Sequence, residues 1–164
     1  MILRNLSELP ALLRPNQCLL GLDYGSKVIG VAVSDPNLQI ASPIGSVIRK
    51  KFPEDAAQLV KLMRDRTIGG IIVGLPKNMD GTEGATAQAA RAFMRNLADK
   101  QYLPNTSVGV VFWDERLSTA AVERFLISGD MTRKRRDEVI DKAAAAYILQ
   151  GALDAINHLK NKAL

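Results

Sequence analysis

A chain of 164 residues has the length of one domain, and a domain near that size removes roughly 70% of its unfolded surface from water, so one well-packed core is expected. A hydrophobic fraction of 47% and a charged fraction of 24% exclude a disordered chain or a coiled coil, and the apolar stretches at 68–76 and 143–149 are too short to cross a bilayer. The single cysteine, Cys18, excludes an internal disulfide or a thiolate metal cluster, while a formal charge of +5 favours a polyanionic partner such as nucleic acid.

Residues 1–16 carry Pro10 and Pro15 and read as an N-terminal extension, a loosely packed arm or short helix. Polar and basic residues interrupt its apolar ones and no secretory cleavage site follows, so a reducing, cytoplasmic setting is expected. One domain over 17–164 follows, without repeat or linker. The apolar run 17–23 turns at Tyr24-Gly25-Ser26-Lys27 and returns as 28–34. After Asp35-Pro36-Asn37 a third strand spans 39–48, so the opening is an antiparallel meander. From Pro53 the spacing becomes helical, with Ala56, Leu59, Val60 and Met63 on one face. Residues 69–74 form a short buried strand ending at Leu75-Pro76. Thr82 is suited to cap a helix over 83–100, with Glu83 at its positive end. The apolar run 107–113 stops abruptly at Asp114-Glu115-Arg116. Ser118 or Thr119 can cap a helix to residue 128, stopped by Gly129, and a last helix begins at 136 or 137 and runs to 160. The order βββ-α-β-α-β-α-α calls for an α/β sandwich, a mixed sheet with helices on its faces.

If the runs ending at Asp23, Gly74 and Asp114 are parallel neighbours, their ends emerge along one edge, where open α/β sheets bind ligands. That gathers Asp23 and Glu115. Asp141 shares a helix face with Ala144, Ala145, Ile148 and Ala152, so a carboxylate heads an inward stripe. A buried charge needs a counter-charge, a donor or a proton, and hard oxygen ligands suit Mg²⁺ or Mn²⁺. Two such ions about 3.5–4 Å apart could activate water and stabilise the oxygen leaving a phosphodiester. Each acid also has a structural explanation: Asp23 as a turn acid bonded to backbone N–H groups, Glu115 and Asp114 as partners of Arg116, Asp141 as a partner of the basic run before it. That run, Arg133-Lys134-Arg135-Arg136, and the smaller Arg49-Lys50-Lys51 read either as phosphate-backbone contacts or as solvated charge. Trp113 and Tyr24 can stack on bases or fill the core. The segment 74–84 is a long polar turn before a helix N-terminus, suited to an anion.

Four segments together, LGLDYGSKVIGVAVSD from Leu20, GLPKNMDGTEG from Gly74, DERLST from Asp114 and DEVIDKAAAAYIL from Asp137, resemble the YqgF (RuvX) family. Its members are candidate pre-16S rRNA nucleases, also described as Holliday junction resolvase-like. The resemblance spans residues 18–154. It implies an RNase H-like fold whose five-stranded mixed sheet has three antiparallel strands and then two parallel ones, and a cytoplasmic role in maturing the 5′ end of 16S rRNA. It also implies that Asp23, Glu115 and Asp141 are the catalytic, metal-holding acids. Lys27, Lys77, Asn78, Arg116, Arg133, Lys134, Arg135 and Arg136 are the expected substrate contacts. Pre-rRNA is the first expected partner, structured or branched DNA the second, with ribosomal precursor particles behind the RNA and no membrane. The chain departs from the family pattern at Ser26, where Thr is common, at Val28, where a base is usual, and at Lys77, usually apolar. Three readings follow: a Mg²⁺- or Mn²⁺-dependent nuclease acting on RNA or on junctions, an ATP-binding module of the actin and sugar-kinase type, and a non-catalytic ribosome-assembly factor. A single domain lacks the second half that encloses ATP, which weighs against the second.

Overall fold

The computed structural model describes residues 1–104, 107–115 and 133–162, with side chains described from residue 143 onward in the last stretch. Its regular elements are β1 (Cys18–Tyr24), β2 (Val28–Ser34), β3 (Ala41–Ile48), α1 (Phe52–Asp65), β4 (Ile68–Leu75), α2 (Ala85–Asp99), β5 (Gly109–Asp114) and α3 (Arg133–Lys162). The helix expected over 118–128 lies outside the described residues.

Among the described residues five strands form one sheet in the order β3-β2-β1-β4-β5. β1 pairs antiparallel with β2, and β2 with β3, through the tight turns that the sequence announces. β1 pairs parallel with β4, and β4 with β5, each crossover carrying a helix. β4 is buried along its whole length, as its unbroken apolar run IGGIIVGL requires of a central strand covered on both faces. β3 forms an edge and tolerates Pro43, which has no N–H to offer a ladder.

Strand alternation sends side chains to two separate cores. On one face Leu20, Leu22, Ile71, Val73 and Val110 pack against Leu59 and Met63 of α1 and Phe93, Met94 and Leu97 of α2. On the other Leu19, Ala32, Ile72 and Val111 meet Ala145, Ile148, Leu149, Ala152 and Ile156 of α3. Gly21 permits the close approach of α3, since a Cβ there would lie 2.7 Å from the Leu149 Cβ and 3.0 Å from the Ala145 carbonyl oxygen. Further along α3, Gln150 accepts the Ala41 N–H at 2.8 Å and Asn157 donates to the Leu38 carbonyl at 2.9 Å. The helix therefore descends antiparallel to β1, its earlier turns toward the Asp23 end of the sheet.

Residues 1–16 are packed rather than loose. Two 3-10 turns, Leu6–Glu8 and Pro10–Leu12, bring Leu9 to full burial beneath α3. Ahead of them the Leu3 N–H donates to the Val110 carbonyl at 2.8 Å, which covers the β5 edge. A second correction concerns Thr82. Asp80 Oδ1 accepts both the Thr82 N–H at 3.0 Å and its hydroxyl at 2.6 Å, so Thr82 closes a turn and caps nothing. α2 starts later, at Ala85 behind Gly84.

Candidate active site

Asp23 is the penultimate residue of β1, level with Gly74 of β4, which is level in turn with Trp113 of β5. Gly21 faces α3, so Asp23, two residues on, faces the same way. Glu115 comes two residues after Trp113, just past the end of β5. Its side chain folds back over Gly74, where a Cβ would lie 2.6 Å from Glu115 Oε1 and 2.4 Å from Ile148 Cδ1. Only a residue without a side chain leaves that space. Across it the Glu115 and Asp23 carboxyl groups face each other closely enough to bond and to shift each other's pKa.

Two carboxyl groups can bond directly only if one keeps a proton. Burial is the main force pushing the Asp23 carboxyl above its ordinary range, with the hydrogen bond from Glu115 pulling the other way. Burial also leads for Glu115, joined by its bond to Asp23 and the negative charges of Asp23 and Asp114, and together they push it up to about 8. The pair therefore holds one proton between its two carboxyl groups well above the ordinary carboxylate range. Hard oxygen donors crowded at the carboxyl ends of parallel strands fit a divalent cation, which supplies in two charges what the shared proton supplies in one. Among the described residues no set of three or more His, Cys, Asp or Glu side chains comes together. The third expected acid, Asp141, belongs to the stretch of α3 whose side chains are outside the description, and so do Arg133, Lys134, Arg135 and Arg136; Arg116 is outside it altogether.

The other expected contacts surround the same edge. Lys27 is exposed on the β1–β2 turn. Lys77 stands at the foot of a small hairpin beyond β4, bridged to Glu83, and Asn78 helps to build that hairpin by donating its side-chain amide to Thr82 Oγ1 at 3.0 Å and its N–H to the Thr82 carbonyl at 2.8 Å. Glu83 accepts two bonds from Arg91, at 2.7 and 2.8 Å, which fastens the hairpin to α2. Both aromatic candidates are packing residues: Trp113 lies against Gly151, and Tyr24 against Phe93 at 5.4 Å between ring centres. Sequence reasoning missed the part played by Gly74 as the open floor under Glu115. The available signal was a glycine inside an otherwise bulky buried run, level with the acid.

The family model described as "RuvX: Holliday junction resolvase" matches residues 17–155. A protein of Rhodospirillum centenum named as a candidate pre-16S rRNA nuclease is 58% identical over 156 residues, covering 95% of this chain and 83% of that one. One of the same name from Ruegeria pomeroyi is 52% identical, covering 97% of this chain and all of its own. Among solved structures, RuvC of Thermus thermophilus bound to a Holliday junction superposes with a TM-score of 0.52 at 13% identity, over 87% of this chain and 96% of that chain. At that identity the likeness is one of fold, and the RNase H-like sheet expected from the sequence is the one observed.

Proposed function

The chain belongs to the RuvX family, and from that premise we propose that it is a nuclease that hydrolyses phosphodiester bonds with Mg²⁺ or Mn²⁺ held by Asp23, Glu115 and Asp141. The observation that carries the reading is the Asp23–Glu115 contact over Gly74, two carboxyl groups from distant segments brought together where burial raises the pKa of both. A divalent cation joining them would offset that burial more fully than one shared proton does. Asp141 is included because it lies one turn before Ala145, whose carbonyl is against Gly21, and α3 climbs from there toward Asp23.

When bound, the cation supplies a nucleophilic water at neutral pH and steadies the charge that builds on the leaving oxygen. Asp23 and Glu115 release their shared proton and present their oxygens from rigid strand ends. Lys27 and Lys77, on turns flanking the pair, contact backbone phosphates, joined by Asn78, Arg116 and the run 133–136. Precursor 16S rRNA, cut at its 5′ end in the cytoplasm on ribosomal precursor particles, is the favoured substrate, because relatives 58% and 52% identical carry that name. The family description and the likeness to a junction-bound RuvC favour a four-way DNA junction as the second reading. Both are tested by incubating wild type and Asp23→Asn with each substrate in Mg²⁺ and in Mn²⁺. Cleavage of the RNA by wild type alone supports the first reading, and cleavage of the junction instead supports the second. Undiminished cutting by Asp23→Asn refutes the site, and binding of pre-rRNA without products returns the chain to a non-catalytic assembly factor.

A further inference from the structure

Arg49 follows β3 and heads a basic triplet whose other members, Lys50 and Lys51, are exposed. Its own guanidinium is turned inward. Nε donates to Asp55 Oδ2 at 2.9 Å and Nη1 donates to the Gly25 carbonyl at 3.0 Å. The guanidinium carbon stands 4.7 Å from the centre of the Tyr24 ring and 5.2 Å from that of Phe93. Asp55, in the first turn of α1, has no exposed side-chain surface, and its second oxygen accepts the Lys50 N–H at 2.9 Å. The Arg49 N–H donates to the Lys27 carbonyl at 2.8 Å, the last rung before the β1–β2 turn opens.

We propose that Arg49 is a positioning residue for Asp23: anchored on buried Asp55, its guanidinium clamps Tyr24 and Gly25 and thereby aims the Asp23 carboxyl at Glu115. The inference rests on the reading of Asp23 as a metal-holding acid. Asp23 and Tyr24 are consecutive in a strand and point to opposite faces of the sheet. On the far face Tyr24 packs against both Arg49 and Phe93, which also contact each other, so the peptide carrying Asp23 is fixed from behind. The segment needs fixing, because β1 ends there and Ser26 and Lys27 beyond it are exposed. The fork of Arg49 is suited to the task, since its planar N–H groups reach an acid and a carbonyl at once, which a lysine ammonium does with far less directional control. A buried ion pair adds little stability over an apolar pair of similar volume, so its value here is geometric. The same clamp sets the turn that carries Lys27.

Arg49→Ala alone strands the Asp55 charge, so the test uses Arg49→Lys and the double variant Arg49→Met with Asp55→Asn, in which no charge is left buried and the residue at 55 still accepts the Lys50 N–H. The measurements are Mn²⁺ affinity by isothermal titration, kcat and KM on precursor 16S RNA, and amide hydrogen exchange across residues 24–27. Both variants are expected to keep the wild-type circular dichroism spectrum and a cooperative melt. Displacing a group that orients a ligand costs roughly 10- to 100-fold in affinity or turnover, so Mn²⁺ should bind about 10-fold more weakly and kcat fall about 10- to 100-fold, with KM within about 3-fold and faster exchange at 24–27. Wild-type affinity, turnover and exchange in either folded variant would overturn the proposal. Should wild type itself cut neither RNA nor junction, the nuclease reading fails, and Mn²⁺ affinity with amide exchange still decides whether Arg49 aims Asp23.

Discussion

Two groups of carboxylates lie on opposite faces of the same sheet, and they are met in opposite ways. On the α1 and α2 face Asp55 is fully buried, with a guanidinium at 2.9 Å and a backbone N–H at 2.9 Å on its other oxygen. On the α3 face Asp23 meets Glu115, another carboxyl, at the mouth of parallel strands. A buried acid bonded by a guanidinium and an N–H ties the fold together at that point. Two carboxyl groups whose pKa values are raised together at a strand-end edge mark a candidate site, and on the proposed reading a cation joins them.

That contrast breaks most visibly at Asp23. On the proposed reading Asp23→Asn should reduce Mg²⁺-dependent cleavage by about 10³-fold or more, since loss of a metal ligand costs several kcal/mol of barrier. The melting temperature should hold, because an amide oxygen can still accept a proton from the Glu115 carboxyl. Calorimetry beside a cleavage assay checks both, and a lowered melting temperature would mean that the pair serves stability. Asp55→Ala should lower stability first, with turnover falling as Arg49 loses its anchor. Removing one partner of a buried ion pair costs about 3 kcal/mol, roughly 10 °C for a chain of this length, read from thermal denaturation. A melt unchanged by that substitution would deny Asp55 its anchoring part.

Gly74→Ala sharpens the comparison with a smaller effect. The new methyl would fall 2.6 Å from Glu115 Oε1 and 2.4 Å from Ile148 Cδ1, both far ends of flexible side chains that can yield. Stability should therefore change little, while Glu115 is pushed off its line to Asp23 and turnover drops about 10- to 100-fold, the usual cost of displacing a metal-orienting group by an ångström or so. Steady-state kinetics beside a thermal melt would show it, and a large fall in melting temperature with normal turnover would reverse the assignment.

How far the sequence showed this division differs from residue to residue. Asp23 and Glu115 were legible because both terminate apolar runs, and parallel strands bring such ends to one edge. The meander was legible from its turn residues, the five-stranded mixed sheet from resemblance to the family, and the strand order from the structure alone. Arg49 and Asp55 were not legible: Arg49-Lys50-Lys51 reads as a charge run, and what separates its first member from the other two is the register in which β3 delivers it beside α1. The same holds for Thr82, whose capping hydroxyl is claimed by Asp80 two residues earlier. In residues 1–16 the prolines masked a pattern that was present, since Leu3, Leu6, Leu9 and Leu13 recur at turn spacing and pack on the α3 face.

The last effect is on stability against pH, and it separates the two faces without reference to any substrate. In protein held free of divalent cations, Glu115 keeps its proton up to about 8 in the folded state, whereas in the unfolded chain it loses it near the ordinary value of 4.5. Between those values the folded state binds more protons than the unfolded one, so stability is complete below about 4.5 and declines as pH rises toward about 8. Melting temperature followed in EDTA across that window should fall, and Glu115→Gln should flatten the curve, because the glutamine has no proton to lose. On the proposed reading Mg²⁺ takes the place of the shared proton, so titrating it into wild type near pH 7 should release protons, measurable from heats in buffers of different ionisation enthalpy. A melting temperature that climbs through the window, or Mg²⁺ binding that releases no proton, would show that the carboxyl pair is balanced from within the protein, as Asp55 is.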